Sequence, residues 1–251
     1  MIQLKNSAAA SNSAPLVRNE RRMRVKKNPE IRSGELLDCA QRLFFTHGYD
    51  NTTINDIIRE AGVSKGAFYH YFPSKEALLE AFAARLARKS LEEIRPLLDD
   101  PTLDAVGRLN TLFAGSRRLK VELAPQLRTV FDVIFRPENI VLFHRIDQAV
   151  TRIVVPLLAD VLQEGTEEGL FDAPDPEAFA EMLLLFRLSL GSVMHEALLK
   201  SREGNIEQAA KMLDDRLRLY GIAIDRVLKL PEGTIEVAET GFVRALLDDS
   251  Q

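Results

Sequence analysis

The stretch Gly62-Val63-Ser64-Lys65-Gly66-Ala67-Phe68-Tyr69-His70-Tyr71-Phe72-Pro73-Ser74-Lys75-Glu76-Ala77-Leu78-Leu79 decides how this chain folds. A glycine, then a serine able to cap, then a short run rich in aromatic residues reads as a turn that feeds a short helix from Ser64 to about Tyr71. Just upstream, Thr53-x-x-Asp56 matches a capping box, so a helix starts at Thr53 and closes at Ala61-Gly62. Two short helices joined by Gly62-Val63-Ser64 describe a helix-turn-helix. Ile57, Ile58, Ala61, Val63 and Phe68 supply the small core that fixes their crossing. The remaining surface of the second helix shows Lys65, Tyr69, His70 and Tyr71, residue types that reach phosphates and base edges. Pro73-Ser74 then punctuates, and a further helix follows through Ala77, Leu78, Ala81, Phe82 and Leu86.

Working towards the N-terminus, Asn28-Pro29-Glu30 is a helix start: a capping Asn, Pro at the first helical position and an acid in the first turn. Leu36, Ala40, Leu43 and Phe44 recur at helical spacing before His47-Gly48 closes that helix. Residues 1–27 read as a disordered basic arm. Ser, Asn, Ala and Pro dominate residues 6–15, and Arg18, Arg21, Arg22, Arg24, Lys26 and Lys27 follow. Two readings of the arm stand: a solvated tail, or a segment lying on phosphates or in a minor groove.

Charge supports a division of labour. Residues 1–75 hold 12 Lys+Arg against 7 Asp+Glu, and residues 76–251 hold 21 against 30. A basic head on an acidic body suggests that the head meets a polyanion. Apolar residues make up 46 % of the 251, enough for a sizeable core. Cys39 is the single cysteine, so no intrachain disulfide forms and a reducing compartment fits. No uninterrupted apolar run approaches ~18 residues, and Met1-Ile2-Gln3-Leu4-Lys5 lacks the apolar core of a signal peptide. The expected setting is cytoplasmic, with no membrane partner.

The quoted run, with Leu43-Phe44, Gly48-Tyr49 and Thr52-Thr53-Ile54 ahead of it, resembles the DNA-binding signature of the TetR/AcrR family over roughly residues 29–89, about a quarter of the chain. The resemblance implies an all-α protein: an N-terminal three-helix helix-turn-helix DNA-binding domain plus a C-terminal helical ligand-binding and dimerisation domain. Its boundaries would be 28–75 for the head, a connecting helix from 75 to about 92, and 93–251 for the body. It implies that Thr52 and Thr53 hold a phosphate, and that Ser64, Lys65 and Gly66 lead the recognition helix into the major groove. The missing side chain of Gly66 would allow close approach. Tyr69 and Tyr71 would contact phosphates, His70 a base edge or phosphate, and Lys75 would clamp the DNA backbone. Phe68 and Phe72 read as core.

The rest of the chain is helical by periodicity: about 102–123, a shorter helix from Pro125 through Ile134, 138–168 with a kink or break at Pro156, one helix from Asp175 to about Lys200, another from Gly204-Asn205 to Lys229, and a short terminal helix from 231–233 through Val237 and Leu246. Met182 to Val193 is nearly apolar and must be buried on more than one side. With the helix after it, this segment is the natural candidate for a dimeric four-helix bundle. Arg187 sits in that apolar stretch and needs a partner. It is either one half of an ion pair, within the subunit or across a dimer, or the anchor of an anionic ligand. Phe113, Arg117, Phe131, Phe135, Phe143, His144, Met194 and His195 are further candidates for a pocket lining, with Phe179 and Phe186 available to wall it between the helices at 102–123, 138–168 and 176–200.

No catalytic or metal-ligating constellation is present in the sequence: the four histidines are scattered, and there is no HExxH, phosphate loop or GxSxG. No cofactor is expected. The sequence therefore points to a DNA-binding transcriptional regulator, a homodimeric repressor on a palindromic operator in double-stranded DNA, released by a small-molecule effector. Two other readings are a DNA-binding protein without an effector and, more remotely, a helical enzyme with an appended helix-turn-helix.

Overall fold

A computed structural model of the chain describes residues 29–239 and 241–247. Among the described residues every regular element is helical: α1 (Pro29–His47), α2 (Ile54–Ala61), α3 (Lys65–Tyr71), α4 (Lys75–Leu98), α5 (Ala105–Glu122), α6 (Ala124–Ile134), α7 (Ile140–Glu167), α8 (Pro176–Leu185), α9 (Leu190–Arg202), α10 (Ile206–Val227) and α11 (Phe242–Leu247). A single 3₁₀ turn, Pro137–Asn139, joins α6 to α7. The fold is an all-α head, α1–α3, on a helical body.

Local chemistry sets the head. The Thr53 and Asp56 side chains and backbones satisfy each other reciprocally at the start of α2. Gly62 takes φ of 60° at its end, a left-handed value that suits glycine, and its N–H bonds back into the last turn. Ser64 and Ser74 then cap α3 and α4 by accepting from the Ala67 and Ala77 amides. The capping role read for Asn28 and the whole 1–27 arm lie outside the described residues.

Four elements differ from the sequence expectation. The connecting helix α4 continues to Leu98 rather than about 92, because Pro96 gives up only a bond to the solvent-facing turn at Glu92. Pro156 does not interrupt α7; it lies exposed in an unbroken helix. The single helix expected over 175–200 is two, α8 and α9. The intervening backbone tightens into i→i+3 bonds, Arg187 N to Leu184 O at 3.1 Å and Leu190 N to Arg187 O at 3.0 Å. The cause is tertiary. Arg187 turns to Asp147 and Thr151 on α7 at 2.8 and 3.0 Å, the Phe186 ring stacks on Tyr220 at 5.7 Å, and Ser189 bonds to the Tyr220 hydroxyl. Finally, the segment around Val237 is irregular. Asp225, fully buried, accepts from the Gly233 and Ile235 amides at 2.7 and 2.9 Å, and Asn110 bonds Thr234 O and Glu236 N, so this strap lies across α5 and α10.

By composition alone, residues 176–202 are long and apolar enough to cross a membrane, with mean hydropathy of 1.4 over its best window. The break between α8 and α9 divides that run, and α9 packs along α10.

Three apolar clusters form the core. The first joins the head (Leu36, Phe44, Ile57, Phe68) and the start of α4 (Leu79, Phe82) to Val130, Val133, Ile134, Leu142 and Ile146 of α6 and α7. The head is therefore built onto the body through shared packing rather than through α4 alone. The second lies among α5, α7, α8 and the end of α10, and the third among α9, α10 and α11.

Candidate functional site

Two regions of the molecule carry functional chemistry: the outer face of α3, and a cavity in the body.

On α3, Phe68 is fully buried and sets the phase of the helix. That phase turns Lys65, Gly66, Tyr69 and His70 outward, with Ser64 exposed at the start. Tyr69 is 44 % exposed, a large ring left in solvent with its edge against Phe68. Tyr71 is half-buried beside the head core, with its ring 5.0 Å from that of His70. A Cβ added at Gly66 would meet nothing within 4 Å. Neither packing nor backbone conformation inside this chain asks for glycine there, although glycine in a helix costs about 1 kcal/mol.

Two residues assigned to DNA by resemblance are turned inward. Thr52 is 1 % exposed, and its hydroxyl donates to Gly48 O at 2.8 Å and Leu43 O at 3.2 Å, closing the α1–α2 loop. Lys75 donates from Nζ to Tyr49 O at 2.8 Å and Thr52 O at 3.1 Å, and sits 4.0 Å over the Tyr49 ring. Burial pushes its ammonium below the ordinary value, with Asp50 and Glu76 opposing. Both side chains pin the head from within. Thr53 remains exposed, and its hydroxyl donates to Asp56 at 2.6 Å. Hydrogen bonds from the Thr53 side chain and backbone hold the Asp56 carboxyl below its usual range.

The head is tied to the body by charge. Arg136, just past α6, reaches Asp50 of the α1–α2 loop at 2.8 Å and Asp132 at 2.9 Å, and Asp132 also holds Arg202 at the end of α9 at 2.8 Å. Burial alone would raise the Asp132 carboxyl, but bonds from Arg136 and Arg202 outweigh that and lower it. Arg145 of α7 pairs with Glu80 of α4 at 2.7 Å.

The body encloses a cavity of about 390 Å³, walled by α4 through α11 and overwhelmingly by aliphatic and aromatic side chains. Of the sequence candidates, Phe113, Arg117, Phe131, Phe135, Phe143, Arg187 and Met194 line it, as does Phe186. His144, His195 and Phe179 do not. His144 follows Phe143 on α7, and one helical step turns it into solvent; His195, one step past Met194, is half-buried but off the cavity wall. Phe179 packs against the second cluster instead. Arg187 is an ion pair within the subunit, with Asp147 at 2.8 Å, yet its Nε is buried without a hydrogen-bond partner. Arg117 donates to Glu236 O, and its Nε is likewise unsatisfied. Burial lowers both guanidiniums, with Asp147 opposing at Arg187 and Glu239 and Glu236 opposing at Arg117.

Sequence reading missed a third cation on this wall, Lys120. Its signal was available: Phe113, Arg117 and Lys120 follow one another at spacings of four and three, a single helical stripe in phase with buried Leu109. Read along the chain, Arg117-Arg118-Leu119-Lys120 looks like an ordinary solvated run. Among the described residues, no group of three or more His, Cys, Asp or Glu side chains is placed to hold a metal.

Known proteins share this architecture. Residues 36–82 match the family described as "Bacterial regulatory proteins, tetR family". Over 148 residues the chain is 30 % identical to "HTH-type transcriptional repressor KstR2" of Mycobacterium tuberculosis, covering 59 % of this chain and 73 % of that protein. It is 33 % identical over 125 residues to "HTH-type transcriptional repressor AcnR" of Corynebacterium glutamicum, covering 46 % of this chain and 60 % of that one. Among solved structures, Thermus thermophilus FadR, a TetR-family transcriptional repressor in complex with lauroyl-CoA, is 25 % identical. The match covers 75 % of this chain and 92 % of FadR, with a TM-score of 0.54.

Proposed function

The chain belongs to the tetR family of bacterial regulatory proteins and is a DNA-binding transcriptional regulator, and from that premise we propose that it is a homodimeric repressor whose grip on a palindromic operator is set by a small molecule held in the body cavity. Ser64, Lys65, Gly66, Tyr69 and His70 form the face presented to the major groove, Thr53 lies at its edge, and Tyr71 contributes its half-exposed rim.

The observation that carries the effector reading is a shared wall. Leu79 and Phe82 of α4 and Val130 and Ile134 of α6 line the cavity and also belong to the apolar cluster that holds the head. A molecule that spreads this wall repositions α4, which is separated from the recognition helix by only three residues. Ligand and operator would then favour different head placements, which is the condition for coupling two sites. That Thermus thermophilus FadR is held in complex with lauroyl-CoA supports an apolar, chain-like effector class here. The reading without an effector leaves an apolar cavity in contact with the head core unexplained.

Dimerisation through the α8–α10 side is supported by Leu185, Leu199 and Leu219, which are 56, 44 and 54 % exposed on consecutive helices. Exposed leucines at this density suit a second copy of the chain. The test is fluorescence anisotropy of a labelled DNA fragment from upstream of the protein's own gene. Saturable binding at two chains per site, reversed by a long-chain acyl compound, is the expected result. Binding that no acyl compound alters would remove the effector, and no preference over unrelated DNA would remove the operator.

A further inference from the structure

We propose that the cavity takes its ligand by an anionic head turned inward: a single carboxylate on an apolar body, held by Lys120 with Arg117 and Arg187 beside it. This deepens, and rests on, the reading of the cavity as an effector site. The cavity wall is unbalanced in charge. Three cations line it, Arg117, Lys120 and Arg187, and a single carboxylate, Asp147, faces them. Asp147 is spent on Arg187 at 2.8 Å. Among the described residues Lys120 has no hydrogen bond and no ion pair, and the charges that act on it are the guanidiniums of Arg187 and Arg117, both of its own sign. Lys120 is half-buried, and its side chain lines the cavity wall.

An ammonium in such a place is costly, since it gives up water and gains repulsion. Burial, with Arg187 and Arg117 adding to it, pushes Lys120 down to about 8. The free donors point the same way. The Nε–H groups of Arg117 and Arg187 are buried with no acceptor. An ammonium and two N–H groups match the two oxygens of a carboxylate, which would complete a set that the protein leaves open. The remainder of the wall is aliphatic and aromatic, and about 390 Å³ accommodates a medium-length chain or a compact ring system. A coenzyme A thioester carries no anion at the end of its acyl chain, so it would satisfy these donors only through its phosphates.

Calorimetric titration of the full chain with dodecanoate, 1-dodecanol and lauroyl-CoA separates the possibilities, read in parallel with release of labelled operator DNA. Dodecanoate should bind at least about tenfold more tightly than dodecanol, equivalent to roughly 1.4 kcal/mol. Lys120→Met should remove that advantage while leaving dodecanol binding unchanged or stronger. Lys120→Gln serves as the second variant if the first fails to fold, with far-UV circular dichroism as the control. Equal binding of acid and alcohol overturns the proposal, as does a Lys120→Met protein that still prefers the acid. If lauroyl-CoA alone binds and Lys120→Met weakens it, the anion is a phosphate and the carboxylate assignment fails. If dodecanol releases DNA as well as dodecanoate does, the effector site stands and only its anionic head falls. If no probe binds or releases DNA, both readings fall.

Discussion

The protein holds cations in two kinds of place, and under the proposed function one charge sign would serve two ends. On the head, Lys65 stands in water beside exposed Tyr69 and His70. In the body, Arg117, Lys120 and Arg187 stand in an apolar cavity. An exposed cation attracts a polyanion by releasing counterions, so its effect is graded and salt-sensitive. An enclosed cation is barely screened and carries a desolvation cost until an anion meets it, so its effect is selective for one small ligand. The head is less basic than the bulk count suggests. Residues 28–75 hold 5 Lys+Arg against 6 Asp+Glu, while residues 1–27 hold 7 against 1. The positive excess of the N-terminal third therefore resides in the arm, not in the helix-turn-helix.

Removing residues 1–27 should break the comparison most severely. Operator affinity at low salt should fall by about two orders of magnitude, and the slope of log affinity against log salt should flatten by about 0.9 for each phosphate that the arm no longer neutralises. Anisotropy titrations between low and moderate salt measure both quantities, and an unchanged slope would make the arm a solvated tail. Ligand binding in the cavity should show almost no salt slope in either protein.

The next effect concerns stability. An ammonium pushed down to about 8 from an ordinary 10.5 disfavours the folded state at neutral pH, by at most about 3 kcal/mol because the half-buried side chain keeps some contact with solvent. Ligand-free Lys120→Met should thus melt several degrees above wild type at pH 7. The sign follows from the direction of the shift: the folded protein prefers the neutral amine, so the penalty is full below about 8 and disappears as pH rises towards 10.5. The groups acting on Lys120 are Arg187 and Arg117, with Asp147 also on the cavity wall and Glu236 and Glu239 acting on Arg117. Melting curves of both proteins from pH 7 to 10.5 should converge, and parallel curves would place Lys120 in contact with bulk water.

The smallest effects sharpen the difference between a pin and a DNA-facing side chain. Lys75→Ala takes the ammonium donor from Thr52 O, leaves Tyr49 O with the Thr52 amide alone, and removes a cation from the Tyr49 ring, so it should lower stability by about 1–3 kcal/mol. At equal folded concentration it should leave the salt slope of DNA binding unaltered. Tyr69→Phe should do the reverse: an unchanged melting temperature, and an operator affinity weaker by about 1 kcal/mol. A melting shift in Tyr69→Phe, or a flatter salt slope in Lys75→Ala, would exchange their roles.

The head was readable in advance because its signals are local. A capping box spans four residues, and Gly62 and Ser64 fix the turn within three. The family signature did not reveal the internal bonds of Lys75, because the groups that capture it lie 23 and 26 residues away and only the folded α1–α2 loop brings them near. The division of 175–200 into α8 and α9 was hidden for the same reason: its causes are Asp147 and Thr151, 40 and 36 residues before Arg187, and Tyr220, 31 residues after Ser189. In the body the apolar period predicts that a helix exists and which stripe is buried, but not what the buried stripe faces. His144 and His195 were drawn into the pocket by proximity in sequence to Phe143 and Met194, and helical phase excludes them.

The break between α8 and α9 faces two ways. Leu185 points out at one end of it, and Arg187, two residues later, looks into the cavity. A ligand that pulls on Arg187 therefore acts on the backbone carrying part of the leucine-rich surface where a second copy would sit. Linkage then runs in both directions. If occupancy alters the association of two copies, association must alter occupancy by the same factor, and ligand affinity becomes a function of how much protein the cell holds. A repressor built this way would measure its own abundance along with its effector: at low copy number, before pairing is complete, the same concentration of effector would meet a cavity of different affinity from the one presented by the paired form.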